Sequence, residues 1–383
     1  SLPELHTSGR EWLVNASPSM SAAMAQAVAG DVITLVPGEY ELGGGKTGQA
    51  GRPDAPIYLR AEQPNTVHIR LSGLFYVNQP HWIFENLNLL GNCPQSGGPC
   101  EHAFHVVGPA DGTVIRNNHL QNFYAHIKVN GLDGRFPRQG LVQFNTLVNE
   151  KNIGYSALTP FDLVGASEWT FSDNLVHHFV KGWSPHASYG VFMKGGGSGG
   201  RIERNLIVCT GNGDISHQGS RVGISMGGGL TEARFCPDRK CIYEHADGII
   251  SNNVIANCND FGIDNNTSIR TIAAHNTLIN TYGIDARGTP STLNAYGNHL
   301  SGRVIAKKGG EIDAIGNDPD IDLAAFDPLN AINAILNSPS RKIIATHPMV
   351  ETDFCGHLRP PESQAGALTA TGECAKAVQR PNR

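Results

Sequence analysis

Five stretches of the chain place an aliphatic residue second, mostly apolar residues fourth, and mostly polar residues third and fifth. They are residues 126–130 (HIKVN), 190–194 (GVFMK), 223–227 (GISMG), 262–266 (GIDNN) and 283–287 (GIDAR). Side chains alternate across a strand, so the third and fifth members of each set share one face. That face collects Lys128, Asn130, Lys194, Asp264, Asn266, Asp285 and Arg287, with His105 of Phe104-His105-Val106 at the head of the row.

A second register runs beside the first. Asn followed by a mostly apolar pair recurs at Asn118, Asn145, Asn174, Asn205, Asn253, Asn276 and Asn298, at intervals of 27, 29, 31, 48, 23 and 22 residues. The last two match the roughly 20 to 25 residues of one solenoid turn, and the longer ones read as the same turn plus a loop. Neither a helix nor an ordinary sheet accommodates both registers. The pattern predicts an all-β fold, a single-stranded right-handed parallel β-helix.

The remaining elements fit a capped solenoid. Residues 19–29 (SMSAAMAQAVA) carry a helical pattern with Ser19 or Ser21 as N-cap and Gly30 as the stop. A helix there covers the open end of a solenoid, which otherwise exposes unpaired backbone. Strands are expected at 31–40, 57–60, 67–71 and 81–89, and insertions at 131–139, 157–166, 181–188, 211–220 and 230–245. Such loops build the walls of a groove. The organisation is one structural domain: a cap over 1–40, the β-helix over 41–317 with its loop insertions, and a C-terminal cap and tail over 318–383.

Composition narrows the partners. Gly occurs 45 times, and charged residues make up 16% of the chain, against roughly 25% in soluble proteins. An amide-rich and hydroxyl-rich surface suits sugars. The net charge of -5 argues against nucleic acid, while a local row of cations still suits a polyanion. No apolar run reaches 18 residues, so no membrane span is expected, and nothing at Ser1-Leu2-Pro3 reads as a leader. The eight cysteines include Cys93/Cys100 and Cys236/Cys241 flanking short loops and Cys355/Cys374 bracketing the tail, with Cys209 and Cys258 completing the even count. There is no CxxC pair for zinc, so disulfides and a secreted or periplasmic location are expected.

Several residues stand out for chemistry. The asparagines read as a stack of amides satisfying one another inside the solenoid. Lys194 is different, because it ends an apolar strand and precedes a glycine run. A desolvated lysine serves as a base. His186 and Tyr189 precede that strand; His217 and Arg221 lie one coil later; His126, Lys128 and Asn130 approach from earlier coils. Asp264 and Asp285 stack as an acid/base pair or as a salt-linked ladder with Arg287 and Asn266 nearby, and Glu244 ends the longest insertion.

Two segments carry a family resemblance. The helix followed by GDVITLVPGEY resembles the opening of pectate-lyase-like β-helix proteins, and residues 353–360 (DFCGHLRP) resemble a closing segment of bacterial β-helix proteins. The layout around Lys194 is similar to the polysaccharide lyases of the chondroitinase B and alginate lyase family. The resemblance implies a lyase acting by β-elimination on an acidic, uronate-containing polysaccharide. Lys194 matches that family's lysine, and Arg221 is the nearest match to its arginine. Elimination needs the uronate carboxylate neutralised, a base at C5 and a proton donor for the leaving 4-oxygen. The resemblance implies Lys194 as base, Arg221 or His186 as neutraliser or donor, and Lys128 and Arg287 as holders of neighbouring sugars. The family also binds Ca2+ through acidic residues just upstream of the lysine, whereas residues 185–189 contain no Asp or Glu. The alternatives are a glycoside hydrolase using the paired aspartates, a uronate C5-epimerase and a non-catalytic polysaccharide-binding β-helix.

Overall fold

The computed structural model describes residues 9–92, 101–149, 157–179, 186–211, 219–229, 231–321 and 340–369. Its strands form a parallel β-helix. One parallel sheet holds 12 strands, and an 18-stranded sheet bends into two further faces because two long N-terminal strands, Gly38–Lys46 and Val67–Val77, run across both. Each coil visits the 12-stranded sheet, turns, crosses the second face and then the third.

The turn after the 12-stranded sheet explains the asparagine register. A left-handed residue such as Phe144, Asp173 or Arg204 bends the chain, and the following asparagine points inward. Asn174 illustrates the bonding: its Oδ1 accepts the backbone N–H and the Nδ2 of Asn145 at 2.9 and 3.1 Å. Its own Nδ2 donates to Val142 O and to Asn205 Oδ1. The same pattern links Asn118 through Asn298 and runs one coil further, to Asn317. Buried amides left unbonded cost about 1–3 kcal/mol each, so the ladder is what lets the turns stay inside.

The third face holds the strands Phe104–Val107, Ile127–Asn130, Phe161–Val164, Ser188–Lys194, Arg221–Gly227, Ile263–Asn266, Gly283–Arg287 and Arg303–Lys307. Pairing aligns Ile127, Phe161, Val191, Ile224, Ile263 and Ile284 as a fully buried inward column. The five stretches read from the sequence therefore stand in their expected register. Residues 157–166, expected as an insertion, instead contain the strand Phe161–Val164, whose Phe161 and Leu163 face the core and whose Asp162 faces out.

Other boundaries shift. The helix spans Ser17–Gln26 rather than 19–29, and its N-cap, Ala16, makes no side-chain cap bond; Ser19 instead donates to Ala16 O. The strand expected over 81–89 splits at left-handed Asn86 into Trp82–Glu85 and Asn88–Gly91. Glu11–Val14 and Val32–Leu35 already belong to the 12-stranded sheet. At the other end, residues 340–369 fold back over the second face, where Phe354, Ala367 and Leu368 pack on Leu206, Val208, Val254, Ala256 and Ile279. No described helix is long and apolar enough to cross a membrane.

Disulfides join Cys236 to Cys241 and Cys209 to Cys258. The first closes the expected short loop; the second ties two coils together. Both are of the kind that persists outside the cytoplasm. Cys355 is also disulfide-bonded, while Cys93, Cys100 and Cys374 lie outside the described residues.

Candidate functional site

The outward side of the third face carries one residue per coil in register: Lys46, Tyr76, His105, Lys128, Asp162, Phe192, Ser225, Asp264 and Asp285. Two residues further along each strand, Asn266, Arg287 and Lys307 form a parallel row, with Lys194 beside Val164. Adjacent coils are about 4.8 Å apart.

Lys194 sits at the middle of this surface. Its Nζ lies 4.9 Å from the centroid of the Phe192 ring, and it has no hydrogen bond or carboxylate partner among the described residues. Tyr189 stacks on the other side of the apolar patch, with ring centroids 4.2 Å from Phe192 and planes 2° apart. The glycine run on the next coil makes room: a Cβ at Gly228 would stand 2.6 Å from the Phe192 ring and 3.1 Å from Lys194 Cδ. The turn behind Lys194 is fixed by Glu244, whose Oε2 accepts from Gly195 N at 3.0 Å and whose Oε1 accepts from Thr231 N at 2.7 Å. Cys236, stapled to Cys241, packs against Gly196. The long insertion is thus a rigid wall beside the lysine.

Two and three coils beyond the Lys194 strand lies an ion-paired group. Arg287 grips Asp264 with two bonds, Nε to Oδ1 at 3.0 Å and Nη2 to Oδ2 at 2.7 Å. That bond to Asp264 holds the guanidinium charge more firmly than usual. Asp285, directly above Asp264, pairs with Lys307 at 3.5 Å, and Lys307 Nζ lies 3.8 Å from the Phe261 ring centroid. Burial, then the charge and hydrogen bond of Asp264, push the Asp285 carboxyl up to about 8. Asp285 therefore keeps a proton at neutral pH. Burial and the Asp264 charge also push the Tyr189 hydroxyl up to about 12, against the pull of the Arg287 charge. The paired aspartates thus form the salt-linked ladder with Arg287.

Other expected residues stand elsewhere. Arg221 lies opposite Ser188, six residues and roughly 20 Å of strand from the Lys194 end, and is fully buried. As placed, it does not reach the open face. His126 is also fully buried; its Nε2 faces Val148 O and burial lowers its pKa to about 3, so it is a neutral core residue. Alternation fixed which way the strand faced but not that His126 precedes it at the bend. Glu244 is buried as a strut, not free on the groove wall. His186 is exposed just ahead of the Ser188–Lys194 strand. His217 lies outside the described residues. Lys128 is neutralised by Asp162 at 2.6 Å, and Asn130 Oδ1 meets His105 Nε2 at 2.7 Å. Asn266 sits in the Arg287 row and bonds Thr267.

Phe192, Ser225, Phe261 and Lys307 were missed as site residues. Phe192 and Ser225 were visible as outward positions of the quoted strands; Lys307 was hidden because the repeat seemed to fade after Asn298.

Among the described residues a divalent cation finds no seat on this face: Asp162 is taken by Lys128 and Asp264 by Arg287, and Asp285 holds its proton with Lys307 3.5 Å away. A group formed by Asp353, Cys355 and His357 has its cysteine in a disulfide. The residues present do not fit calcium.

No protein-family model and no curated protein matches the sequence. Solved structures do match in fold. A rhamnogalacturonan lyase superposes with TM-score 0.53 at 12% identity, over 95% of this chain and 97% of its own. The pectate lyase Pel9A superposes with TM-score 0.51 at 15% identity, over 96% and 91%. An alginate lyase from Paenibacillus sp. str. FPU-7 aligns with TM-score 0.45 at 12% identity, over 81% and 99%. The chain shares the parallel β-helix fold of polysaccharide lyases.

Proposed function

We propose that this chain is a polysaccharide lyase that cleaves a uronate-containing polysaccharide by β-elimination, outside the cytoplasm, with Lys194 as the base. The carrying observation is the Lys194 side chain, whose neutral amine would be the base: unpaired among the described residues, set over an aromatic ring, and backed by a wall that keeps it in place. Phe192 is itself buried beneath Tyr189 and Lys194, so the surface open to a pyranose is the half-buried Tyr189 ring with the amine beside it.

The neighbouring residues supply the rest of the reaction. Removal of the C5 proton leaves charge on the uronate carboxylate, and the row of Arg287 and Lys307 supplies the cations on this face. Tyr189 keeps its proton and stands against Phe192, where it serves as donor to the departing 4-oxygen. No step runs through calcium. Arg221, buried one coil away, supports the strand rather than the substrate.

A second reading has one observation in its favour: Asp285 holds a proton beside an ionised, Arg287-bound Asp264, the arrangement of an acid and a carboxylate in glycoside hydrolysis. Both side chains are only 2% exposed, which argues against contact with a sugar. The test is absorbance near 235 nm during incubation with a panel of acidic polysaccharides. A rise that Lys194→Ala abolishes supports elimination. New reducing ends without absorbance, lost in Asp285→Asn, would move the assignment to hydrolysis; inversion at C5 without cleavage would mark an epimerase, and binding alone a non-catalytic protein.

A further inference from the structure

Three lysines on the third face each lie over an aromatic ring. Lys194 lies over Phe192 at the centre, Lys307 over Phe261 at one end, and Lys46 over Tyr76 at the other, with Nζ 5.8 Å from the Tyr76 centroid. Lys46, like Lys194, has no carboxylate or hydrogen-bond partner among the described residues. Such a pair presents an apolar plate and a cation together, which is the complement of a sugar acid: an apolar ring face and a carboxylate at its edge.

The surroundings of Tyr76 are built rather than incidental. Its ring meets His105 edge-on at 5.7 Å, His105 contacts the His102 ring at 5.2 Å and bonds Asn130, and Lys128 follows on the next coil. Register connects this group to the centre. Tyr76, His105, Lys128, Asp162 and Phe192 occupy successive coils in one outward row, so four coil spacings, about 19 Å, separate the Tyr76 and Phe192 rings. An extended uronate chain lying along the row advances by about one sugar per coil. A chain held at the Lys194 coil therefore places a sugar several units away on Tyr76.

We propose that Lys46 and Tyr76 form a distal uronate subsite, so that the protein grips a run of several acidic sugars and favours long polymer over short oligomers. This rests on the polyuronate reading above and deepens it: the substrate is a chain with consecutive acidic units, not one with a lone uronate between neutral sugars. Asp162 offsets Lys128 midway, which leaves the strongest anion pull at the two lysine-bearing plates.

The test uses Lys194→Ala chain, which binds without turnover, and measures its affinity by calorimetry for oligogalacturonates and oligomannuronates graded from dimer to octamer. The expected result is an affinity that climbs until the oligomer spans both plates. Adding Lys46→Gln or Tyr76→Ala then weakens the longest oligomers about tenfold and leaves dimers and trimers unchanged. Lys46→Gln alters an exposed side chain, so it guards against loss of folding in the tyrosine variant. Equal binding of long oligomers with and without these changes would overturn the subsite while leaving the polyuronate reading standing. No binding of any oligouronate either by the Lys194→Ala chain or by the unaltered chain would overturn the two together.

Discussion

Two polar ladders run the length of this molecule, and they are opposites. Inside, asparagine follows asparagine from Asn118 to Asn317, each amide saturated by the next and by a backbone carbonyl. Outside, on the third face, the row is mixed and only its last two residues match: lysine, tyrosine, histidine, lysine, aspartate, phenylalanine, serine, aspartate, aspartate. Identical groups stacked at the coil spacing satisfy one another and have nothing left to offer a ligand. Unlike groups leave remainders, and Lys194 and a proton on Asp285 are the remainders here.

That contrast can be broken at several points. Replacing the unpaired lysine tests the outer ladder most severely: Lys194→Ala should lower elimination by about 10²–10⁴-fold while leaving the melting temperature nearly unchanged. Cutting the inner ladder should do the reverse. Asn205→Leu removes the acceptor for Asn174 and the donors to Phe171 O and Asn253, so urea unfolding should show a loss of about 2–4 kcal/mol. A variant that kept full stability would show that the amides are not what holds the turns.

Gly228→Ala joins the two ladders' logic, since it adds one carbon against the plate under Lys194. It should cost about 1–3 kcal/mol of stability by overpacking and also reduce turnover, read by the same unfolding and absorbance assays. A change in stability with unaltered turnover would detach Phe192 from the reaction.

The smallest effect concerns pH. Asp285 has a folded pKa near 8, raised above its unfolded value near 3.9, so its ionisation burdens the fold above that range and the burden lifts as pH falls from 8. His126, His177, His245 and His275 have folded values of about 3 to 4, lowered chiefly by burial, so the unfolded chain takes up protons first and stability drops as pH falls below about 6.5. Each group changes stability by at most about 1.4 kcal/mol per pH unit. Melting temperature should therefore peak between pH 6 and 7, roughly the window left between the unfolded histidine value and the raised aspartate. Asp285→Asn should flatten the alkaline side and steepen the acid side, and an unchanged profile would remove the proton from Asp285.

Much of this was legible in the residues. The inner ladder announces itself because one residue type must recur, and the register of five outward stretches followed from alternation alone. Depth was not legible. Alternation tells which side a residue occupies but not what lies over it, so Arg221 and Glu244 looked available and are buried. Asp162 was lost because the coil holding it came after a long interval and read as a loop. Tyr76 and Lys46 escaped because their strands run on beyond the point where a solenoid strand normally ends, and only pairing reveals that they head the same row.

The segment at 340–369 gives the chain a sense of time. Every coil closes on the one before it, so most of the solenoid can be laid down as it is made. Arg359 reaches back 107 residues to Asn252, and Thr352 receives Arg204 across 148. These bonds cannot form until the last coils already exist. Until then Leu206, Val254 and Ile279 lack their cover, and an uncovered apolar strip is a surface other chains can stick to. The fold is thus built in order and latched last.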